Sequence, residues 1–217
     1  MDESDGELPV ISLQKQTIPV TIVLLAAGRS SRMGSSGVHK LLSEFQGVPL
    51  IRRSTITACN CRSHSVIVVT GYRHLDIESA IAGLPVTTVH NTAFSGGMAG
   101  SLALGVRVAE ASQPDGIMVM LADMPALTTT HLNALLTAFG THHGKYIARA
   151  VANGHPGNPV VFPSPLYSRL KGLTGDKGAR DFIQSSGVPI IDVELGDSAL
   201  IDVDTPEAVE AAGGILR

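Results

Sequence analysis

Four short segments rich in apolar and β-branched residues divide the first part of the chain. They are VTIVLLAA from Val20, SVIVVTG from Ser65, PVTTVH from Pro85 and GIMVMLADMP from Gly116. The first, second and fourth segments are continuous apolar runs, which are typical of strands that are buried on both faces, and PVTTVH is a plausible further strand. Helical spacing or a helix-start signal follows each of them. The pattern therefore predicts strands that alternate with helices, as in a parallel sheet covered on both faces.

The remaining predicted elements are less regular. Helices are expected over residues 49–58 and 74–82, from Gly96-Gly97 through Ala109, and from Thr128–Thr130 to near Phe139. The last third should hold strands at YIARAV, NPVVFP and PIIDVEL, a helix over DKGARDFIQ, and a final helix from Thr205-Pro206. Residues 1–17 show no periodicity and are expected to form a mobile leader, which leaves one α/β domain over residues 18–217.

Composition narrows the class of protein. With 217 residues, of which 44% are hydrophobic and 16% charged, the chain is neither disordered nor fibrous. Its net charge of −3 lacks the basic footprint of a nucleic-acid binder. No apolar run reaches about 18 residues, so no membrane span is expected, and the acidic start carries no export signal. Cys59 and Cys61 lack disulfide or metal-ligand spacing. We expect a soluble, cytoplasmic protein.

The loop after the first predicted strand is the first candidate for ligand binding. Ligands of open parallel sheets bind beyond the carboxyl ends of the strands. Here Leu25 to Gly28 lead into a Gly/Ser-rich loop that contains Arg32, and Lys40 follows. Small residues let backbone N–H groups approach an anion, and the two cations can neutralise phosphate. The loop fits neither GxGxxG nor GxxxxGK[ST]. It indicates a phosphate loop of another type, with a solvated surface loop as the alternative.

Carboxylates follow the fourth predicted strand and precede the last predicted helix. Asp123 comes directly after a buried strand, where it could hold a hard cation such as Mg²⁺. Asp202 and Asp204 would face the same side of an extended segment and could complete that site. Turn and helix-cap roles explain the same residues equally simply, so both interpretations stay open.

Other polar residues at strand ends give weaker signals. Asn91 and the segment Gly96–Ser101 follow the third strand and suit contacts to a base or ribose, although a helix start alone explains them. His155, Gly157 and Asn158 should precede a strand from Pro159 to Phe162. The remaining histidines show no ligand spacing and are expected at the surface.

Taken in order, these segments resemble the nucleotidyltransferases that attach a nucleotide to molybdopterin. The similar segments are LLAAGRSSRMG with Lys40, Asn91–Ser101 with its internal GGMAGSL, LADMP ending at Pro125, GDKGAR ending at Arg180, and DVDTPE from Asp202. The resemblance runs from about residue 20 to residue 212. GDKGAR is similar to an element typical of the molybdenum cofactor cytidylyltransferase branch.

The resemblance implies both a fold and a reaction. The fold is a three-layer α/β/α arrangement with a mostly parallel, seven-stranded mixed sheet, of the nucleotide-diphospho-sugar transferase type. The reaction is Mg²⁺-dependent transfer of CMP from CTP to the phosphate of molybdopterin, with release of pyrophosphate. A molybdenum hydroxylase is the expected recipient of the product.

The resemblance also implies roles for individual residues. Arg32 and Lys40 would stabilise charge on the phosphates, and Asp123 with one of Asp202 and Asp204 would hold Mg²⁺. The expected nucleotide contacts are Leu25, Ala26, Ala27, Gly28, Gly71, Asn91, Gly97 and Ser101. The expected contacts to the pterin substrate are His155, Asn158, Asp176 and Arg180.

Position 27 bears on the choice of base. In the resembling families LAAG accompanies cytidylyl transfer and LAGG accompanies guanylyl transfer, so Ala27 favours CTP. Its methyl group could exclude a bulkier purine.

Two positions depart from the family pattern. Five residues separate Gly34 from Lys40 where two or three are usual, and Asn158 stands where a histidine is expected. The alternatives are a guanylyltransferase, a transferase acting on a sugar phosphate or methylerythritol phosphate, and a cofactor-binding chaperone without turnover.

Overall fold

A seven-stranded mixed sheet lies at the centre of the protein. The structure is a computed structural model, and it describes residues 19–33, 38–175 and 179–216. The strands are β1 (Val20–Ala26), β2 (Glu44–Phe45), β3 (Val48–Pro49), β4 (Ser65–Thr70), β5 (Thr87–His90), β6 (Gly116–Leu121), β7 (Ile147–Ala152), β8 (His155–Pro163), β9 (Ile190–Glu194) and β10 (Gly214–Ile215). The central sheet has the order β5-β4-β1-β6-β8-β7-β9, and within it β8 runs antiparallel to both of its neighbours. The predicted mostly parallel sheet is confirmed.

Helices cover both faces of this sheet. They are α1 (Leu50–Cys59), α2 (His74–Ala80), α3 (Met98–Glu110), α4 (Thr129–Thr141), α5 (Tyr167–Lys171), α6 (Ala179–Ser185) and α7 (Pro206–Ala211). Alternate side chains of β1 enter two apolar cores, with Ile22 and Leu24 in one and Val23 and Leu25 in the other. Helices α1, α4 and α7 pack into the first core, and α3 and α5 pack into the second. The three-layer α/β/α fold is thereby confirmed.

Helix α3 lies unusually close to the sheet because of Gly105. A Cβ at that position would stand 2.4 Å from Cγ1 of Val23 and 3.0 Å from Cγ2 of Val69. No side chain fits in such a gap. The close approach fixes the start of α3 relative to the end of β1, and these two ends border the site described below.

The hairpin between β7 and β8 corrects the expected strand boundary. Strand β8 begins at His155, which pairs with Ala152, so the residues expected to precede the strand lie within it. Asn153 and Gly154 connect the strands with φ of +49° and +77°. An Asn-Gly turn with two positive φ angles joins antiparallel strands directly. The strand therefore starts four residues before the expected Pro159.

A second, three-stranded sheet in the order β10-β2-β3 was not expected from the sequence. Each of its strands has two residues, which is too short to show periodicity.

Among the described residues, no helix is long and apolar enough to cross a bilayer. The expected leader, residues 1–17, lies outside the described part of the chain.

Candidate active site

A pocket of about 440 Å³ opens at the carboxyl ends of β1 and β6, beside the start of α3. The loop after β1 forms one wall, and the segment that precedes α7 forms another. The sequence-predicted site residues that line it are Leu25, Ala26, Ala27, Gly28, Lys40, Gly97, Ser101, Asp123, Asp202 and Asp204. The fold thus brings three separate predicted segments, the loop, the LADMP strand end and the DVDTPE segment, to one place.

Lys40 connects two of these segments. Its Nζ lies 2.5 Å from Oδ2 of Asp123 and 2.5 Å from Oδ1 of Asp204, although Asp204 is 164 positions away in sequence. The Lys40 side chain is only 11% exposed. Burial lowers the pKa of Lys40, but the two carboxylates outweigh burial and hold its pKa above the ordinary value. Lys40 is therefore a charged group fixed at the floor of the pocket.

Asp204 is paired through both of its oxygens. Oδ1 accepts from Lys40, and Oδ2 accepts from Nη1 of Arg32 at 2.5 Å. Partial burial raises the pKa of Asp204, but its hydrogen bonds and charge contacts with Lys40 and Arg32 bring that pKa below the ordinary value. Arg32 does not line the pocket and reaches it only through Asp204; its side chain is 72% exposed, so this ion pair contributes little to stability.

The three carboxylates form a candidate metal centre. Each of Asp123, Asp202 and Asp204 offers a ligand oxygen, and these oxygens lie within 4.8 Å of one another. Oδ1 of Asp123 is buried and accepts no hydrogen bond from any described residue. Burial and the charges of Asp123 and Asp204 raise the pKa of Asp202. A divalent cation would give Oδ1 of Asp123 a partner and would offset the repulsion between Asp202 and the other two carboxylates. The three residues therefore fit such an ion.

An aromatic and sulfur-bearing rim borders the pocket, and it comes from the segment Asn91–Ser101 that the sequence suggested for contacts to a base or ribose. Phe94 and Met98 line it together with Arg29, whose guanidinium carbon lies 5.3 Å from the centre of the Phe94 ring. Met98 is 56% exposed although it is apolar. A partly apolar wall beside the cation Lys40 suits a ligand that is partly aromatic and partly anionic. No periodic signal singled out Phe94 within that segment.

Asn91 and Gly71 support the pocket wall instead of lining it. Asn91 donates from Nδ2 to Oγ of Ser101 at 2.9 Å, and its Oδ1 accepts from the backbone N–H of Ala93. A Cβ on Gly71 would stand 2.6 Å from the carbonyl oxygen of Ala27 and 2.7 Å from Cβ of Phe94. Both residues therefore lie outside the pocket and support the residues that line it, Ser101 in one case and Ala27 and Phe94 in the other.

The residues expected to contact the pterin lie apart from this pocket or outside the described chain. His155 and Asn158 stand in β8 at the carboxyl edge of the sheet, and neither lines the pocket. Gly157 packs against Ala199, whose carbonyl oxygen would be 2.1 Å from an added Cβ. Asp176 and the side chain of Arg180 fall outside the described residues.

His39 overturns the expectation that the remaining histidines are at the surface. Its side chain is 0% exposed and lies between the Gly28 loop and the turn that begins at Lys40. Burial lowers the pKa of His39 to about 4, with a smaller opposing contribution from the Gly28 carbonyl. Ligand spacing could not find it, because both ring nitrogens contact backbone groups, those of Gly28 and Leu41. Its position directly before Lys40 was the available signal.

A glycine-containing strand-end loop, a buried lysine and clustered carboxylates at the edge of an α/β sheet are the arrangement expected of a phosphate-transferring enzyme. Comparison with known proteins narrows this class. The family model described as the MobA-like NTP transferase domain matches residues 22–190, and the chain belongs to that family. It is a nucleotidyltransferase of the MobA-like type.

Relatives that match most of the chain include two proteins of different kinds. The purine catabolism protein PucB of Bacillus subtilis is 35% identical over 200 residues, which cover 85% of this chain and 91% of PucB. A molybdenum cofactor guanylyltransferase of Pseudomonas aeruginosa is 29% identical over 192 residues, which cover 87% of this chain and 92% of the relative.

Solved structures show the same fold. A nucleotidyl transferase from Methanothermobacter superposes with a TM-score of 0.77 at 24% identity, covering 89% of this chain and 95% of the other. Rv0371c of Mycobacterium tuberculosis, solved as a complex with manganese, gives a TM-score of 0.72 at 22% identity over 89% and 97% of the two chains.

Proposed function

We propose that this protein transfers CMP from CTP to the phosphate of molybdopterin and releases pyrophosphate. The observation that carries the proposal is the contact of Lys40 with Asp123 and Asp204 inside the strand-end pocket. That contact joins a cation for phosphate to carboxylates for a metal, which are the two requirements of nucleotidyl transfer. The resemblance to molybdopterin nucleotidyltransferases and the guanylyltransferase relative support the pterin acceptor.

The carboxylates divide into two roles in this proposal. Asp123, whose Oδ1 has no hydrogen-bond partner among the described residues, and Asp202, whose pKa is raised by burial and by the two neighbouring carboxylates, would hold the metal. Asp204 orients Lys40 and Arg32 because both of its oxygens accept from them. When bound, Mg²⁺ or Mn²⁺ acts as a Lewis acid toward the phosphate oxygens. The manganese complex of the mycobacterial neighbour supports a divalent ion here.

The protein's own groups neutralise and align the triphosphate. Ala26, Ala27 and Gly28 line the pocket at the end of a buried strand, where such small residues let an anion approach backbone N–H groups. Lys40 at the floor and Arg32 beside Asp204 would stabilise the charge that develops on the leaving pyrophosphate. The acceptor phosphate is already ionised at neutral pH, so the step requires positioning and charge stabilisation more than a general base.

Ala27 supports cytosine over guanine. Ala27 lines the pocket, and a Cβ added to neighbouring Gly71 would stand 2.8 Å from the Cβ of Ala27. A methyl group held this firmly cannot move aside for a larger base. The guanylyltransferase relative favours GTP instead, and it makes guanylyl transfer the second candidate.

We propose that the acceptor binds beside the nucleotide pocket, at the same carboxyl edge of the sheet. His155 and Asn158 lie on β8, next to β6 and its Asp123, and we propose them with Asp176 and Arg180 as pterin contacts. The name of the PucB relative, a purine catabolism protein, is compatible with a molybdenum hydroxylase as the recipient.

Pyrophosphate release from each nucleotide in the presence of molybdopterin and Mg²⁺ tests the proposal. CTP should support turnover, and Asp123→Asn should abolish it because a metal ligand is lost. Asp115→Asn is the matched control, since this exposed aspartate precedes β6 at the opposite edge of the sheet. Turnover with GTP alone would move the function to guanylyl transfer. Turnover only with sugar phosphate or methylerythritol phosphate would overturn the pterin assignment, and pterin binding without turnover would favour the chaperone.

A further inference from the structure

His39 joins the loop after β1 to the turn that carries Lys40. Its Nδ1 accepts from the backbone N–H of Leu41 at 3.3 Å, and its Nε2 lies 3.2 Å from the carbonyl oxygen of Gly28. Because Nδ1 accepts, the neutral ring carries its proton on Nε2, which then donates to Gly28. One buried ring thus satisfies one group in each of two segments that line the nucleotide pocket.

The ring of His39 is also held from the side. It stacks on the ring of Tyr72, with centroids 5.8 Å apart and planes inclined by 22°. The backbone N–H of Tyr72 in turn donates to the carbonyl oxygen of Ala27 at 3.3 Å. The loop that would bind phosphate is therefore tied twice, through Ala27 to Tyr72 and through Gly28 to His39.

Lys40 needs such a connection because the chain before it is long. Five residues separate Gly34 from Lys40, so covalent proximity to the loop does not by itself determine where the lysine stands. Lys40 begins a short 3₁₀ turn, Lys40–Leu42, and His39 caps that turn through its bond to Leu41. The cap and the bond to Gly28 share one rigid ring, so they set the distance between the turn and the loop.

We propose that His39 is a positioning residue that places Lys40 against the phosphates of the bound nucleotide. It touches neither substrate nor metal and acts through the Gly28 loop and the Leu41 cap. The inference rests on the proposed function in one respect, the contact of Lys40 with the triphosphate.

Two substitutions separate the two bonds of the ring. In His39→Asn the amide oxygen stands where Nδ1 was and can still cap Leu41, but the side chain is too short to reach Gly28. In His39→Gln the amide nitrogen can reach Gly28, but the acceptor for Leu41 is lost. His64→Asn makes the same change at an exposed histidine and is the matched control.

The readout is the ratio of the dissociation constants of CMP and CTP, measured with Mn²⁺ by calorimetry. This ratio reports contacts to the outer phosphates and is insensitive to a general loss of stability. We expect His39→Asn to lower it about tenfold, the loss of one charge-assisted contact, and His39→Gln to lower it less. His64→Asn should leave it unchanged. If the wild type prefers GTP, the same ratio is taken with GMP and GTP.

A double-mutant cycle with Lys40→Met decides whether His39 acts through Lys40. In the Lys40→Met background, His39→Asn should change the ratio no further. An unchanged ratio in the single variant, or an equal fall in both backgrounds, would overturn the proposal. If His39→Asn does not fold, the cycle is run with His39→Gln and judged by the same criterion. The pterin is absent throughout, so failure of transfer to molybdopterin would count against the proposed function and leave this test intact.

Discussion

At the scale of single residues, the aspartates Asp123, Asp202 and Asp204 carry the same carboxylate group but are contacted by different neighbours. Asp204 has a lysine on one oxygen and an arginine on the other, and its pKa lies below the ordinary value. Asp123 shares Lys40 but keeps one buried oxygen without a partner among the described residues. Asp202 has a raised pKa, because burial and two neighbouring carboxylates disfavour its charge. A metal ion would bind best through Asp123, which has a free oxygen among the described contacts, and Asp202, whose negative charge is disfavoured by its neighbours.

This difference predicts the order of metal affinities. Asp202→Asn should weaken Mn²⁺ binding in the presence of nucleotide by at least about tenfold more than Asp204→Asn does, since a ligand oxygen is worth more than an orienting contact. Paramagnetic resonance of free Mn²⁺ during a titration measures both constants. The reverse order would identify Asp204 as the ligand and Asp202 as the orienting residue.

The buried imidazole of His39 predicts a dependence of stability on pH. The pKa of His39 is about 4 in the folded protein, against 6.5 for an unperturbed histidine such as that of the unfolded chain. The unfolded state therefore binds more protons between these values, and the free energy of unfolding falls as pH falls through that window. The loss should be about 2 kcal/mol between pH 7 and pH 5.

Urea unfolding of the wild type and His39→Asn at pH 7, 6 and 5 measures this loss. The variant has no imidazole at this position, so its stability should fall by about 2 kcal/mol less over the same range. His64→Asn, at an exposed site, should follow the wild type. Parallel curves for the wild type and His39→Asn would show that His39 is not held neutral by the fold.

Residue-scale chemistry was predictable where a strand ended and unpredictable where the contact was remote. Asp123 follows a buried run directly, and the alternation of Asp202 and Asp204 showed that they share a side. The pairing of Lys40 with Asp204 spans 164 positions, and no local pattern encodes it. His39 was missed for a different reason, because a histidine whose ring contacts backbone groups has no spacing signature.

At the scale of elements, the packing of α3 on the sheet depends on the missing side chain of Gly105. Gly105→Ala would place a Cβ 2.4 Å from Val23, and the strain should destabilise the protein by about 1–3 kcal/mol despite the better helix propensity of alanine. Gly140→Ala in α4 meets nothing within 4 Å and should stabilise by roughly 0.5–1 kcal/mol. Chemical denaturation of both variants measures the opposite signs. A stabilised Gly105→Ala would mean that α3 can move away from β1 without cost.

Elements with a long hydrophobic pattern were predicted from the sequence, and elements too short to show one were not. Strands β1, β4 and β6 are buried on both faces, so their sequences are continuous apolar runs. Strands β2, β3 and β10 have two residues each and exist only because they pair with one another. The start of β8 was misplaced because the Asn153-Gly154 turn lies inside a polar segment, where alternation is hard to see.

At the scale of the whole molecule, the candidate site belongs to no single element. Its lining extends from Leu25 near the end of β1 to Asp204 before α7, and it includes the end of β6 and the start of α3. These segments meet only when the central sheet is complete and both helical layers are packed on it. A ligand that bridges them therefore binds the folded state alone, and its binding free energy adds to the stability of the entire chain.

This linkage predicts a cooperative rise in melting temperature with nucleotide and metal together. At about 100 times its dissociation constant, CTP with Mg²⁺ should add about 2.7 kcal/mol, which corresponds to roughly 5–10 °C for a chain of this size. Asp123→Asn should lose most of the rise, because it removes the link between β6 and the metal. Asp115→Asn, at the opposite edge of the sheet, should keep it. A rise of equal size without any divalent ion would show that Lys40 and Arg32 alone hold the triphosphate, and that the three carboxylates serve to place those cations instead of a metal.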